Sequence, residues 1–357
     1  MLFFVVMCTL QHFNPVAESE SERRPLAQFP ENITWETIFN TKDANKSTIK
    51  LFEKYTVDQF PFREFFRSVK ANFQLNVLGL KENNGLAVKD GYIVKIETDF
   101  TKGMVDHSLS RLEAIYDTYL KDNGGDKFIS IIPDKNYFLG KDYGYPAPDY
   151  EWLIENVKQK LPDVTYIDIF DTLSLSDYYR TDTHWSQDKI LGVADRIGAA
   201  LGVSDRLSGS YKENVLEGFR GVYYGQSALN PSPDKIVYLT NDILDFCRVY
   251  DYETGRYGKI YNKSLFEGKD GYDFFLSGTR ALLRIDNPNA TTDEELIIFR
   301  DSFGSSFSPL LAEAYKSIYI VDIRYIAPAV LPNYIDFDGK DVLFLYSSTI
   351  LNSLAFK

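Results

Sequence analysis

The chain has 357 residues, of which 39 are Lys or Arg and 51 are Asp or Glu, so its formal charge is −12. With 44% hydrophobic residues, the composition is that of a globular protein rather than a disordered or fibrous one. An acidic chain without a block of Lys and Arg is poorly suited to neutralise phosphates, which argues against nucleic acid as a partner. Two cysteines and three histidines are too few for a disulfide framework or a Cys-rich zinc module.

The N-terminus carries an apolar run from Leu2 to Leu10, which is shorter than the roughly 20 residues that a membrane-spanning helix needs. Its length fits the hydrophobic core of a signal peptide, although no Lys or Arg precedes it and no A-x-A site follows. We interpret residues 1–24 as an export segment or anchor with its linker. An ordinary buried strand is the alternative for the apolar run.

Residues 25–105 are predicted to form an N-terminal arm and a hairpin that pack on the rest of the chain. A polar stretch from Glu18 to about Asn45 is typical of a stalk or wrapping arm. From Lys46 to Val77, apolar and aromatic residues recur at helical spacing with a break at Pro61, and we interpret this aromatic stripe as core. Residues 86–96 alternate around Asp90-Gly91, which indicates a hairpin.

Residues 106–357 are predicted to form one α/β domain. Apolar runs predict strands at 127–133, 164–169, 295–300, 317–323 and 341–346, and helical spacing predicts helices at 108–121, 149–160, 187–201 and 303–315. Nearly continuous apolar runs are typical of strands that are buried on both faces, so we expect a mainly parallel sheet flanked by helices. A segment of about 211–286, rich in Gly, Tyr and turns, is predicted to be a β-rich insertion beside the sheet.

The first candidate site lies in the segment Tyr178 to Ser186, directly before a predicted helix. Asp182 and His184 are two residues apart, and an extended backbone would turn both side chains to one side. A carboxylate beside an imidazole fixes its tautomer and stabilises its protonated form, as in a Ser-His-Asp triad. A structural Asp-His contact and metal ligation are the alternatives.

The second candidate site follows the apolar strand that ends at Arg300, where the chain reads Asp301-Ser302-Phe303-Gly304-Ser305-Ser306. A serine at a strand-to-helix turn exposes its hydroxyl near free backbone N–H groups, which stabilise developing negative charge. Simple capping of the helix by one of these serines is the alternative. Triads are assembled by geometry rather than chain order, so the distance in sequence to His184 is no obstacle.

Several motifs together resemble a known family. The motifs TDTHWS (181–186), FRDSFGSSFSPLLAEAY (299–315) and IYIVDIRY (318–325), with DQFPFREFF (58–66) and GLAVKDGYIV (85–94), are similar to those of the bacterial DHHW protein family. That family is related to the SGNH-hydrolase-like O-acetyltransferases of alginate acetylation. The resemblance covers most of the chain from about Pro25 onward, and Thr183 stands where the family's name has its first His.

The resemblance implies an SGNH-hydrolase-like fold with a Ser/His/Asp site. It implies that Ser302 is the nucleophile, His184 the general base and acid, and Asp182 the residue that orients His184. Where family members often carry Gly-Gly-Asn, this chain has Ser277-Gly278-Thr279, so Gly278 and Thr279 become the candidates near the oxyanion.

Three further residues are candidates for substrate binding. Arg324 and Lys135 follow predicted strands, and the alternative for each is a structural ion pair, with Asp301 or Asp322 in the case of Arg324. Trp185 is the third, and packing behind His184 is its favoured alternative.

We therefore expect an extracytoplasmic O-acetyltransferase or acetylesterase, secreted or membrane-anchored by its N-terminal segment, that acts on a polysaccharide through an acyl-serine. By analogy with the family, a membrane-bound acyltransferase would supply acetyl groups. We expect no metal and no nucleotide cofactor, since no phosphate-binding loop is present and only His184 has a promising setting for a metal ligand. The alternatives are an inactive polysaccharide-binding or assembly protein on the same scaffold, and a metal-assisted hydrolase that uses His184, Asp182 and Asp301.

Overall fold

The computed structural model describes residues 2–31 and 47–357. Its contacts divide the chain into two compact units: one runs to Val88 and includes Val222–Ser232, and the other comprises Lys89–Gly221 and Pro233–Lys357. The predicted domain boundaries at residues 24 and 105 stay predictions. The part of the predicted arm that spans residues 32–46 lies outside the described residues.

The first unit is mainly helical. It contains α1 (Leu2–Phe13), β1 (Glu18–Ser19), β2 (Arg24–Pro25), α2 (Thr48–Asp58), α3 (Arg63–Asn72) followed by a π-helical turn (Phe73–Val77), β3 (Glu82–Asn83), β4 (Leu86–Lys89, whose last residue belongs to the second unit) and a short helix (Val222–Gln226). The apolar N-terminal run is thus a helix, and the alternative of a buried strand is wrong. Along residues 2–31 and 47–357, no helix has the length and apolarity needed to cross a bilayer.

Most of the aromatic stripe predicted as core in this unit is exposed instead, although Tyr55 is buried. Phe62, Phe65 and Phe73 have 57%, 63% and 51% of their surface accessible. On another side of α3, Arg63 forms an ion pair with Glu22 on the β1–β2 segment. The helical spacing therefore predicts the helix correctly but does not predict the exposure of most of its aromatic side chains.

The second unit is the α/β part. Its strands are β5 (Tyr92–Lys95), β6 (Lys127–Ile132), β7 (Thr165–Tyr166), β8 (Lys212–Phe219), β9 (Asp234–Thr240), β10 (Arg248–Asp251), β11 (Arg256–Gly258), β12 (Leu282–Asp286), β13 (Glu295–Arg300), β14 (Ser317–Val321) and β15 (Asp341–Ser347). Its helices are α4 (Lys102–Ile115, continued by a π-helical turn Tyr116–Leu120), α5 (Lys135–Tyr143), α6 (Tyr150–Lys160), α7 (Leu191–Ala200), α8 (Asp242–Phe246), α9 (Lys263–Phe266), α10 (Gly304–Phe307) and α11 (Ser348–Leu351).

The central sheet has the strand order β11-β10-β12-β14-β13-β15-β6-β7. The five strands from β14 to β7 pair in parallel, with Ile298 opposite Ile320 on β14 and Leu343 on β15. The three strands β12, β10 and β11 extend the same sheet in antiparallel orientation. The predicted mainly parallel sheet is confirmed. Part of the predicted insertion is an edge of this sheet, while β8 and β9 form a separate antiparallel pair.

The sheet is covered on the face that carries Ile129, Ile297 and Phe299. These side chains are buried in one cluster with Leu109 of α4 and Leu153 of α6. The side chains that alternate with them on β13, such as Ile298, are also fully buried. Burial on both faces explains why the strand sequences are almost continuously apolar.

Several predicted elements are shorter than expected, including the helix predicted at 187–201, which is an α-helix only over Leu191–Ala200. The predicted helix 303–315 is an α-helix only over Gly304–Phe307 and continues as a 3-10 helix over Ser308–Ala314. Pro309 has no N–H to donate to the preceding turn, which prevents a regular α-helix there. The predicted strand 164–169 is a strand only at Thr165–Tyr166, because the Asp168 side chain accepts from the Phe170 N–H at 3.0 Å and turns the chain.

Candidate active site

Asp182 and His184 lie in a closed loop before α7. Tyr178 and Trp185 form a β-bridge across the loop, and the Tyr179 N–H donates to the His184 carbonyl at 3.0 Å. Within the loop, the His184 N–H donates to Asp182 Oδ1 at 3.0 Å. This local turn brings the two side chains together, as their spacing of two residues predicts.

Ser302 completes a hydrogen-bonded chain with these two residues. His184 Nδ1 lies 2.6 Å from Asp182 Oδ1, and His184 Nε2 lies 2.8 Å from Ser302 Oγ. With the proton on Nδ1 donated to the carboxylate, Nε2 is left to accept the hydroxyl proton. Asp182 and His184 are buried, and Ser302 is partly exposed. The arrangement can deprotonate the serine while leaving it accessible to a substrate.

Asp301 holds the turn that presents Ser302. Its Oδ1 accepts from the Phe303 N–H at 3.0 Å, and its Oδ2 accepts from the Ser347 N–H at 2.8 Å and the Ser347 hydroxyl at 2.6 Å. The carboxylate thus ties the end of β13 to the end of the neighbouring strand β15. With both oxygens engaged in this way, Asp301 is a poor third ligand for the metal-assisted alternative. Among the described residues, no group of three His, Cys, Asp or Glu side chains is arranged to hold a metal ion.

A second carboxylate, Asp234 on β9, supports the loop from outside. It accepts hydrogen bonds from the Arg180 N–H at 3.1 Å, the Thr181 N–H at 2.7 Å and the Thr181 hydroxyl at 2.7 Å. The Thr181 hydroxyl oxygen in turn accepts from the Gly221 N–H at 3.0 Å. Sequence reasoning missed Asp234, because only the pairing of β8 with β9 brings it to the loop.

Aromatic rings surround His184. The Tyr272 ring stacks on the imidazole with centroids 3.8 Å apart and planes 4° from parallel, and Phe303 lies 4.8 Å away at 57°. Trp185 is fully buried, and its Nε1–H donates to the Phe303 carbonyl and to Ser306 Oγ. This is the packing alternative for Trp185. Tyr272 was not predicted, and the only signal for its position was the turn at Asp270-Gly271.

Lys135 lies beneath the loop rather than at its surface. Its ammonium group donates to the carbonyls of Ile93, Tyr179 at 3.0 Å and Arg180 at 3.4 Å, and only 3% of the residue is exposed. Burial lowers the pKa of Lys135 to about 7, and the charges of Asp182, Asp234 and Asp134 oppose that shift. The structure therefore places this predicted substrate contact among the protein's own backbone groups.

Arg324 pairs with Asp322. Its Nε and Nη2 donate to the two carboxylate oxygens at 2.8 and 2.6 Å. Burial lowers the pKa of Arg324, but the hydrogen bonds and charge of Asp322 outweigh it and leave the pKa raised. Buried Arg300 contacts the same carboxylate at 3.5 Å. This pairing is one of the structural alternatives considered for Arg324.

Gly278 and Thr279 follow the segment that carries Tyr272. Leu276, Ser277 and Gly278 all have positive φ, and an added Cβ at Gly278 would lie 2.2 Å from Asp273 Oδ1. The Thr279 carbonyl accepts from Arg280 at 2.8 Å. Their role near an oxyanion stays a prediction.

A mainly parallel α/β sheet with a Ser-His-Asp chain at the carboxyl ends of its strands has the SGNH-hydrolase-like architecture that the sequence predicts. The structure is similar to that of a DHHW family protein from Eubacterium siraeum, with a TM-score of 0.60 and 23% identity over 76% of this chain and 93% of that one. It is also similar to PatB1 from Bacillus cereus, with a TM-score of 0.60 and 20% identity over 77% of this chain and 99% of that one. PatB1 with a sulfonyl adduct gives a TM-score of 0.58.

The DHHW protein family model matches residues 171–321, which include Asp182, His184 and Ser302. The resemblance to this family is therefore confirmed over these residues, while the similar motifs at 58–66 and 85–94 lie outside the match. No curated protein matches the chain.

Proposed function

We propose that the protein is a serine-dependent O-acyltransferase or esterase that moves acetyl groups on or off carbohydrate hydroxyls. The observation that carries the proposal is the continuous chain from Asp182 through His184 to Ser302, with separations of 2.6 and 2.8 Å. Three residues in this order are the parts needed to activate a serine for attack on an ester.

In the first half of the reaction, Ser302 Oγ attacks the carbonyl carbon of the acetyl donor while His184 Nε2 takes the hydroxyl proton. The resulting imidazolium is stabilised by the Asp182 carboxylate. When the tetrahedral intermediate collapses, the bond to the leaving oxygen breaks and that oxygen receives the proton from His184. The products are acetyl-Ser302 and the free alcohol of the donor.

In the second half, a hydroxyl group approaches from the exposed side of Ser302. His184 takes its proton as its oxygen attacks the acetyl carbon, and the proton then returns to Ser302 Oγ as the serine leaves. A sugar hydroxyl as acceptor makes the protein a transferase, and water makes it an esterase. The family resemblance supports a polysaccharide as the carbohydrate, an extracytoplasmic location and a membrane-bound acyltransferase as the source of acetyl groups.

The test is hydrolysis of p-nitrophenyl acetate by the full chain, with mass spectrometry of the protein during turnover. Wild type should release p-nitrophenol and gain one acetyl group, located on Ser302 by peptide mapping. Ser302→Ala should abolish the adduct, and His184→Ala should lower turnover by about six orders of magnitude. Ser305→Ala is the matched control, because Ser305 follows on the same turn outside the hydrogen-bonded chain, and it should retain activity.

An inactive binding protein is the competing interpretation. It would be favoured if Ser302 lay beyond hydrogen-bond reach of His184, and the separation of 2.8 Å removes that support. If no adduct and no turnover appear with p-nitrophenyl acetate, and a phenylmethanesulfonyl fluoride reaction also leaves Ser302 unmodified, the proposed function is wrong.

A further inference from the structure

The Tyr272 ring covers one face of the His184 imidazole almost in parallel, with centroids 3.8 Å apart. The two side chains come from segments 88 residues apart, so this contact depends on the tertiary fold rather than on the local turn. The hydrogen bonds from Asp182 and Ser302 act within the plane of the imidazole, at Nδ1 and Nε2. They therefore do not restrain movement of the ring perpendicular to that plane.

Tyr272 is itself fixed from both ends. Its backbone N–H donates to the Asp270 carboxylate at 3.1 Å, which begins the 3-10 turn Gly271–Phe274. Its hydroxyl donates to Ser306 Oγ at 2.8 Å, and Ser306 Oγ also accepts from Trp185 Nε1 at 3.0 Å. Only 4% of Tyr272 is exposed. The ring is therefore a rigid surface whose position does not depend on a bound substrate.

The anchor of Tyr272 belongs to the nucleophile's own segment. Ser306 lies in α10 (Gly304–Phe307), directly after the turn that presents Ser302. The hydrogen bond to Ser306 thus fixes the Tyr272 ring relative to the segment that carries Ser302. The stacking contact fixes the same ring relative to His184. A shift of Ser302 relative to His184 would have to disturb one of these two contacts.

We propose that Tyr272 is a positioning residue that holds the plane of the His184 imidazole against Ser302 and stabilises the imidazolium formed during acyl transfer. This inference rests on the proposed function. The negative face of an aromatic ring attracts a cation above it, and here the cation appears only after Ser302 has lost its proton. The contact therefore strengthens as the reaction proceeds, which lowers the barrier rather than only binding the ground state.

The kinetic test compares Tyr272→Leu, Tyr272→Phe and Ser306→Ala with wild type in the hydrolysis of p-nitrophenyl acetate. Tyr272→Phe keeps the stacked ring but loses its hydrogen bond to Ser306, so its loss of kcat should be smaller than that of Tyr272→Leu. Ser306→Ala removes the same bond and also the acceptor of Trp185 Nε1, so it should lose at least as much kcat as Tyr272→Phe. Tyr272→Leu should lower kcat by about 2- to 30-fold, the effect of losing one cation–π contact, with KM unchanged. Tyr272→Met fills the same space without a ring and should behave like Tyr272→Leu if the latter does not fold.

A second measurement does not require activity. In proton NMR spectra, the His184 Nδ1–H bonded to Asp182 should give a low-field signal, assigned by its loss in His184→Ala. We expect this signal to persist in Tyr272→Phe and in Ser302→Ala, and to broaden by exchange with water in Tyr272→Leu. If wild type shows the signal but hydrolyses no ester, the proposed function fails while the positioning role is still tested by the spectrum.

Three results would overturn the inference. The first is a Tyr272→Leu variant with the kcat and the low-field signal of wild type. The second is an equal loss of kcat in Tyr272→Phe and Tyr272→Leu, which would assign the effect to the hydroxyl group rather than to the ring. A rise in KM alone would make Tyr272 a substrate contact and would also contradict the proposal.

Discussion

The Thr181 hydroxyl donates to the Asp234 carboxylate at 2.7 Å, and its oxygen also accepts from the Gly221 N–H at 3.0 Å. One side chain thus links β9, the loop that carries Asp182, and the end of the segment that begins with β8. The position of Asp182 is set by these neighbours as much as by its bond to His184.

Removal of the Asp234 carboxylate should therefore shift the loop that carries Asp182, although Asp234 makes no hydrogen bond to Asp182, His184 or Ser302. In Asp234→Ala, three hydrogen bonds to a carboxylate are lost and two backbone N–H groups of the loop lose their partner. We expect the free energy of unfolding to fall by about 1.5–3 kcal/mol and kcat for ester hydrolysis to fall about tenfold. Urea denaturation and steady-state kinetics measure the two effects. Lys235→Ala, at the exposed neighbouring residue, is the control, and equal kcat in the two variants would contradict the prediction.

Gly221 should tolerate no side chain. A Cβ at this position would lie 2.3 Å from the Asp182 Cβ and 2.4 Å from the Thr181 carbonyl oxygen. Gly221→Ala should lower the free energy of unfolding by about 1–3 kcal/mol. It should also reduce kcat, because Asp182 must move away from the added methyl group. Gly192→Ala, where a Cβ meets nothing within 4 Å, should be neutral or slightly stabilising. A Gly221→Ala protein as active as Gly192→Ala would refute this account of the close approach.

Lys135 predicts a pH dependence of stability. Because its pKa falls from 10.5 to about 7 on folding, the unfolded chain binds more protons between these values. Stability should therefore rise with pH from about 7 toward 10 by an amount that Lys135→Met removes. The measurement is urea denaturation across this pH range, with Lys141→Met on the exposed side of α5 as the control. If Lys135→Met keeps the wild-type slope, the ammonium group is not the source.

Asp58 predicts a second rise of stability with pH, in the acid range. Its hydrogen bonds with Arg24, at 2.6 and 2.9 Å, lower its pKa from 3.8 to about 2. The pair is fully stabilising above about pH 4 and loses about 2 kcal/mol of stabilisation as the pH falls to 2. Hydrogen exchange of the α2 amides should show this loss in wild type and in the exposed control Glu53→Gln. Protection in Asp58→Asn should be lower at neutral pH and should change less between pH 4 and 2.

The sequence predicts best those strands that are buried on both faces. Strands β13 and β15 have the predicted bounds to within one residue, since burial on both faces leaves a continuous apolar run. Asp182, His184 and Ser302 could be predicted to converge because each follows a recognisable local pattern. Their catalytic roles stay predictions.

Residues that depend on distant partners could not be predicted in this way. Tyr272, Asp234 and Gly221 contribute through contacts with segments 34 to 88 residues away, and none has a distinctive local pattern. The aromatic stripe of α3 shows the converse. Its apolar spacing predicts the helix, but Phe65 on that helix is 63% exposed, while Arg63 forms an ion pair with Glu22.

The two hydrogen bonds of the site differ in the stage of folding at which they can form. Asp182 and His184 are separated by two residues, so their bond requires only a local turn, whereas the bond from His184 to Ser302 closes a loop of 118 residues. Closing so long a loop carries an entropic cost that only the assembled sheet can offset. A chain that is still folding can therefore form the Asp182–His184 bond locally before it can activate Ser302. Reactivity of Ser302 toward an acylating reagent consequently reports completion of the sheet, and partly folded molecules should not acylate themselves.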